Sequence, residues 1–152
     1  MTTTITIPTG FSYVAAALLS TVFLLGSQIV VVSTHRRRAG IAYPQLYADK
    51  AEAAASPAAL KFNCAQRVHQ NTLEYLPGLY VMTLILGLKQ PTLAASALGM
   101  WVLGRVAYGV GYVTGDPERR NNIVTVLFAT PSILTLLGGA TYSVYQLVTE
   151  GA

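Results

Sequence analysis

Three polar side chains recur at helical spacing in the middle of the chain, and their types suit the binding of a small charged molecule. Arg67, Asn71 and Glu74 follow one another at i, i+4 and i+7, so a helix carries them on one stripe. Tyr75 flanks the stripe, whereas His69 points away from it. A guanidinium, an amide and a carboxylate together suit carboxylate, peptide and ammonium groups. The stripe is therefore the first candidate site.

The composition predicts an integral membrane protein. The 152 residues are 53% hydrophobic and only 11% charged, against roughly 25% charged in soluble domains. Residues 1–34 and 121–149 carry no formally charged side chain, and about 20 apolar residues suffice to cross a membrane as a helix. An ionised side chain inside such a span costs about 2.5–3.5 kcal/mol, so we expect the stripe to have a binding partner.

The apolar stretches predict an all-α fold. We expect a left-handed four-helix bundle that crosses the membrane four times and forms a single domain, residues 1–152. The spans are predicted at about residues 11–33, 67–88, 92–114 and 121–148, with a cytosolic loop at about 35–61. A secretory signal peptide is the alternative for the first stretch, but no Lys or Arg precedes its apolar run.

Basic residues predict the orientation of the helices, because they concentrate in cytosolic connections. The first and third connections are basic, whereas the second carries only Lys89. The cations of the two basic connections are Arg36, Arg37, Arg38, Lys50, Lys61, Arg119 and Arg120. We therefore expect both connections in the cytosol and the turn at Lys89 on the other side of the endoplasmic reticulum membrane. The outer mitochondrial membrane is the alternative location.

Short motifs predict helix ends and contacts. Asp116 and Pro117 indicate the start of the fourth helix, with Asp116 capping the first amides. That helix would begin with Glu118 and the two arginines that follow it. The glycine pair 138–139 favours close helix approach. The single cysteine, Cys64, excludes an intrachain disulfide, and no metal site is predicted.

An antiparallel bundle brings further polar residues to the cytosolic end, where the stripe lies. The start of the second helix, the end of the third and the start of the fourth meet there. The residues added at this end are Tyr75, Arg105, Tyr108, Tyr112, Arg119 and, from the first helix, Arg36. The topology thus predicts one polar, cation-rich, tyrosine-lined pocket that opens toward the cytosolic interface.

Each of these residues also has an ordinary structural explanation. Arg67 and Glu74 suit an ion pair, Tyr108 and Tyr112 suit an interfacial aromatic belt, and Arg119 suits a loop anchor. Their convergence at one depth favours a binding site, because simple anchoring does not require a carboxylate inside a span.

Two segments resemble the MAPEG family, whose members are membrane proteins of eicosanoid and glutathione metabolism. The first is Phe62–Glu74, with the sequence FNCAQRVHQNTLE. The second is Arg105–Tyr112, with the sequence RVAYGVGY, followed by TGDP at residues 114–117. The chain is most similar to the type-three microsomal glutathione transferase branch, and the resemblance covers all four predicted spans.

The resemblance implies a homotrimer that binds glutathione in a bent shape between neighbouring subunits. The positions that match the family's glutathione contacts are Arg67, Asn71, Glu74, Tyr75, Tyr108 and Tyr112. His69, which stands where relatives often have Gln, and Arg105 are further candidate contacts. Arg119 matches the arginine that activates the glutathione sulfur in leukotriene-C synthase, and Arg36 matches a second arginine at the end of the first helix.

The implied activity is that of a glutathione transferase or peroxidase. Arg119 would favour the thiolate of glutathione, which then attacks an electrophilic lipid, such as a leukotriene-A-like epoxide, or a lipid hydroperoxide. The expected partners are glutathione, that lipid and the membrane, and no nucleic acid. One alternative is a noncatalytic lipid-binding scaffold of the lipoxygenase-activating type. The other is a channel or transporter subunit in which Glu74 and Arg105 line an ion path.

Overall fold

Every regular element in the computed structural model is helical over the residues that it describes, 7–150. The helices are α1 (Phe11–Ala39), α2 (Lys50–Ala55), α3 (Pro57–Lys89), α4 (Pro91–Tyr112) and α5 (Ile123–Glu150). A 3₁₀ turn at Pro117–Asn121 precedes α5. The all-α prediction is confirmed for this part of the chain, and the predicted reversal at Lys89–Pro91 is a one-residue turn between α3 and α4.

The long helices pack around a continuous apolar core. α1 packs against α3 and α4, and α5 packs against α4 and α3. Trp101 on α4 is fully buried at the centre of this core. A Cβ atom on Gly139 of α5 would lie 2.9 Å from both methyl groups of Leu86 on α3. The predicted close approach at the glycine pair is therefore present, and Gly139 provides it.

Three of these helices are long and apolar enough to cross a membrane: α1, α4 and α5, the last counted over Ile123–Thr149. The chain is thus an integral membrane protein. The helix α3 has 33 residues, or about 50 Å of helix, but charges at Lys61, Arg67, Glu74 and Lys89 interrupt its apolar sequence. A fourth crossing by α3, the handedness of the bundle and the trimer stay predictions.

The first connection lies between two capped helices. The helix α1 continues to Ala39, so the arginine triplet lies on its last turn. It ends at Gly40, whose φ of 69° is favourable for glycine and whose amide caps the helix. The helix α3 already begins at Pro57, with the Ser56 side chain as its N-cap. The connection is therefore residues 40–56, and it includes α2.

The predicted start of the fourth long helix at Glu118 is wrong, because the α-helix begins at Ile123. Asp116 does accept a hydrogen bond from the Glu118 amide, at 3.1 Å, but it caps the 3₁₀ turn. Asn122 then leaves the helical conformation, with ψ at 162°, and its side chain accepts from the Thr125 amide at 2.9 Å. The α-helix restarts at Ile123 because Asn122 acts as a second cap.

Candidate functional site

The predicted stripe forms a connected cluster on α3. Arg67 Nη1 lies 2.8 Å from Glu74 Oε1, and Asn71 Nδ2 donates to Glu74 Oε2 at 3.1 Å. The side chains of Arg67 and Glu74 are 43% and 47% exposed. A guanidinium, an amide and a carboxylate thus lie side by side on an accessible surface, where a ligand can reach them.

The stripe borders a cavity of about 320 Å³ between α3, α4 and α5. The predicted site residues that line it are Asn71, Tyr75, Arg105 and Tyr108. Tyr108 also packs edge-on against Tyr112, with 5.6 Å between the ring centroids. The structure therefore brings the predicted tyrosines to the stripe. The cavity volume lies at the lower end of the range of about 300–1,000 Å³ that small-molecule sites occupy.

Arg105 is buried, at 4% exposure, and lies among aromatic rings. Its guanidinium carbon lies 4.0 Å from the centre of the Tyr108 ring, 5.7 Å from that of Trp101 and 5.9 Å from that of Tyr75. The negative faces of aromatic rings stabilise such a cation. All the described contacts of this guanidinium are with neutral groups, and none is with a carboxylate. The arrangement therefore suits recognition of a negatively charged ligand group.

A threonine ties Arg105 to two other helices. Arg105 Nη2 donates to Thr72 Oγ1 at 3.0 Å, and Gln28 Nε2 of α1 donates to the same oxygen, also at 3.0 Å. Thr72 in turn donates to the Val68 carbonyl at 2.9 Å. Sequence reasoning missed Thr72 and Gln28, although a glutamine in the middle of an uncharged span was a signal. This network fixes the position of the Arg105 guanidinium relative to α1 and α3.

Arg119 does not reach the stripe within one chain. Its Nε lies 3.3 Å from Asp116 Oδ2, its side chain is 67% exposed, and it lines a different cavity, of about 770 Å³, between α4, α5 and the 3₁₀ turn. Its neighbour Arg120 lies on the tyrosine side instead, with its guanidinium carbon 5.3 Å from the centre of the Tyr112 ring. The structure thus places Arg120, which the sequence did not single out, beside the predicted tyrosines.

Arg36, on the last turn of α1, is buried against the first connection. Its Nη1 donates to the Gln45 carbonyl at 2.7 Å, and its guanidinium lies between the rings of Tyr43 and Phe62. His69 is half-buried on α3, and its Nδ1 has no hydrogen-bond partner among the described residues. Within one chain, neither residue joins the Arg67–Glu74 cluster.

A further residue near the stripe, Tyr47 of the first connection, is absent from the sequence prediction. Its hydroxyl donates to Gln70 Oε1 on α3, and its phenol also interacts with the Arg67 guanidinium. No periodicity in the sequence links residue 47 to residue 67, so only the folded connection shows this contact.

Comparisons with known proteins agree with the resemblance at the family level. The sequence model of the MAPEG family matches residues 13–140, which is most of the chain. The uncharacterized protein sll1147 of Synechocystis sp. (strain ATCC 27184 / PCC 6803 / Kazusa) is 33% identical over 87 residues. This alignment covers 55% of the chain and 59% of that relative. The match to the relative is therefore partial.

Proposed function

Because the chain belongs to the MAPEG family, we propose that it is a membrane-bound glutathione transferase that also reduces lipid hydroperoxides. The observation that carries this proposal is the cluster of Arg67, Asn71 and Glu74 on an accessible face of α3. The three groups complement those of glutathione, which presents two carboxylates, two peptide bonds and an ammonium group.

Each residue of the stripe recognises a different group of glutathione. Arg67 binds a carboxylate through its paired N–H groups, Glu74 binds the ammonium group, and Asn71 binds a peptide group. The tyrosines at the cavity, Tyr75 and Tyr108, add hydroxyl groups and ring faces. The Arg67–Glu74 ion pair is half exposed, and such pairs contribute only about 0–1 kcal/mol. Its rearrangement around a ligand is therefore inexpensive.

The chemistry needs no nucleophile from the protein, because glutathione supplies a thiol. A free thiol titrates near pH 8.5, and a neighbouring guanidinium favours the thiolate. In conjugation with an epoxide, the sulfur forms a bond to carbon, a C–O bond breaks and the oxygen takes up a proton. In peroxide reduction, the sulfur forms a bond to the terminal oxygen, the O–O bond breaks, and the lipid alcohol leaves after taking up a proton. The thiol of a second glutathione then displaces the oxygen on sulfur, which gives the disulfide and water.

Arg119 is the proposed thiol-activating residue, on the basis of its match to the family. One chain does not bring it to the stripe, so the proposal includes the homotrimer that the resemblance implies, with glutathione bound between subunits. Arg36, the second proposed catalytic arginine, and the further proposed contacts His69, Arg105 and Tyr112 act in that assembly. The lipid substrate reaches the site from the bilayer.

Turnover by purified protein in detergent tests this function. Glutathione is supplied together with a panel of lipid epoxides, other electrophiles and lipid hydroperoxides. We expect thioether or lipid alcohol products from wild-type protein, with Arg67→Gln impaired at low glutathione concentration. Absence of both products, with retained binding of the lipid, would instead support the noncatalytic scaffold. The pairing of Arg119 with Asp116 is the observation that favours this second function.

The membrane that we propose is that of the endoplasmic reticulum, with the two basic connections in the cytosol. This proposal rests on the positions of the basic residues. Protease protection in sealed microsomes tests it, because a tag inserted in the first connection should be cleaved without detergent. Recovery of the protein in the outer mitochondrial membrane fraction would contradict it.

A further inference from the structure

Arg36 anchors the first half of the connection between α1 and α3, residues 40–56. The Arg36 guanidinium donates to the Gln45 carbonyl at 2.7 Å and lies 4.3 Å from the centre of the Tyr43 ring and 4.5 Å from that of Phe62. A buried guanidinium between two rings restricts the backbone that it holds. The path of the connection is therefore defined up to Gln45.

Hydrogen bonds hold the second half of the connection to α3 and to α2. Asn63 makes two hydrogen bonds with the backbone of Ala48, one to its amide and one to its carbonyl, each at 2.8 Å. Glu52 accepts from Gln45 Nε2 at 2.6 Å and closes a capping box with Asp49 at the start of α2. The segment between Gln45 and Ala48 is thus held at both ends.

Tyr47 lies in this doubly held segment and reaches the stripe. Its hydroxyl donates to Gln70, and the Arg67 guanidinium interacts with the same phenol. Burial raises the pKa of Tyr47, and the Arg67 charge offsets this only in part, so the phenol stays protonated. Arg67 also pairs with Glu74, at 2.8 Å.

We propose that Tyr47 is a positioning residue of the glutathione site and that it acts through Arg67. This inference rests on the proposed function. An arginine side chain on a half-exposed surface samples many rotamers, and a ligand that binds it must first restrict them. Tyr47 restricts Arg67 before the ligand arrives, because its hydroxyl is fixed on Gln70, three residues further along α3, and its phenol interacts with the guanidinium. The anchored connection therefore increases the affinity for glutathione, in addition to linking α1 and α3.

The test is the glutathione dissociation constant of full-length protein in detergent, measured by isothermal titration calorimetry. Tyr47→Phe keeps the ring and removes the hydroxyl. We expect binding about two- to tenfold weaker, which is the effect of releasing one long side chain, with KM raised to match and kcat nearly unchanged. The matched control is Tyr43→Phe in the same connection, since Tyr43 is 77% exposed and only its ring contacts Arg36. We expect wild-type affinity from the control.

A double-mutant cycle with Arg67→Gln tests the route of the effect. If Tyr47 acts through Arg67, Tyr47→Phe causes no further loss in the Arg67→Gln background. An equal loss in both backgrounds would overturn the positioning role, because it would indicate a direct contact with ligand. Wild-type affinity in Tyr47→Phe would overturn the inference while leaving the proposed function intact. Absence of glutathione binding by the wild-type protein would overturn the proposed function itself, and the inference with it.

Discussion

Replacing Arg119 with Leu should raise the pKa of the bound glutathione thiol. Two unit charges 4 Å apart interact by about 4 kcal/mol near a protein surface, or about three pKa units. The Arg119 side chain is 67% exposed and lies 3.3 Å from Asp116, so water and this carboxylate screen its charge. We therefore expect about one pKa unit from Arg119, which corresponds to about eightfold more thiolate at pH 7.

The assay is the ultraviolet absorbance of the bound thiolate as a function of pH, together with turnover at pH 7. The Arg119→Leu variant should lose roughly this factor in kcat while its glutathione dissociation constant stays close to that of the wild type. Asp116→Asn should act in the opposite direction, because it removes the screening carboxylate. Asn still serves as a cap for the Glu118 amide, so the turn should remain folded.

Arg120→Leu is the matched control, since Arg120 is the next residue and lies over Tyr112. The reasoning is refuted if Arg119→Leu titrates like the wild type. A shift in Arg120→Leu alone would assign thiol activation to Arg120, the guanidinium that a single chain already places on the tyrosine side.

Three other variants test separate parts of the account. Gly111→Ala should displace the 3₁₀ turn, because its Cβ would lie 2.1 Å from the carbonyl oxygen of Arg119. We expect a lower thermal unfolding midpoint, and an unchanged midpoint would contradict this packing. Gly99→Ala is the control, since its Cβ would meet nothing within 4 Å. Thr72→Val should cost about 1–3 kcal/mol of unfolding free energy, because two buried donors lose their acceptor; denaturant titration should show no such loss for the exposed Thr141→Val, and equal losses would argue against the network. Glu74→Gln should weaken glutathione binding about tenfold or more, but it should leave the affinity for a glutathione analogue without the amino group unchanged. A loss of affinity for both ligands would show that Glu74 does not bind the ammonium group.

Local periodicity made part of the site predictable. Arg67, Asn71 and Glu74 lie within two turns of one helix, so their spacing alone places them together. The long apolar runs likewise predicted the helices that are long and apolar enough to cross a membrane. Such predictions need only local geometry, and the structure confirms them at the level of helices and of this cluster.

Contacts set by non-helical segments were not predictable in the same way. The Asn122 cap separates the 3₁₀ turn from α5, and Arg119 and Arg120 within that turn lie on different sides of α4. The position of Tyr47 depends on Asn63, a residue on another segment. A pattern of residue types along the chain does not encode either arrangement, because each depends on backbone that leaves the helical repeat.

The central claim is that the α3 stripe binds glutathione, and equilibrium binding to the purified protein tests it most directly. We predict saturable binding of glutathione by the wild type and a large loss of affinity in Arg67→Gln, with the unfolding midpoint unchanged because that side chain is 43% exposed. Wild-type protein that does not bind glutathione, or an Arg67→Gln variant that binds it equally well, would contradict the account.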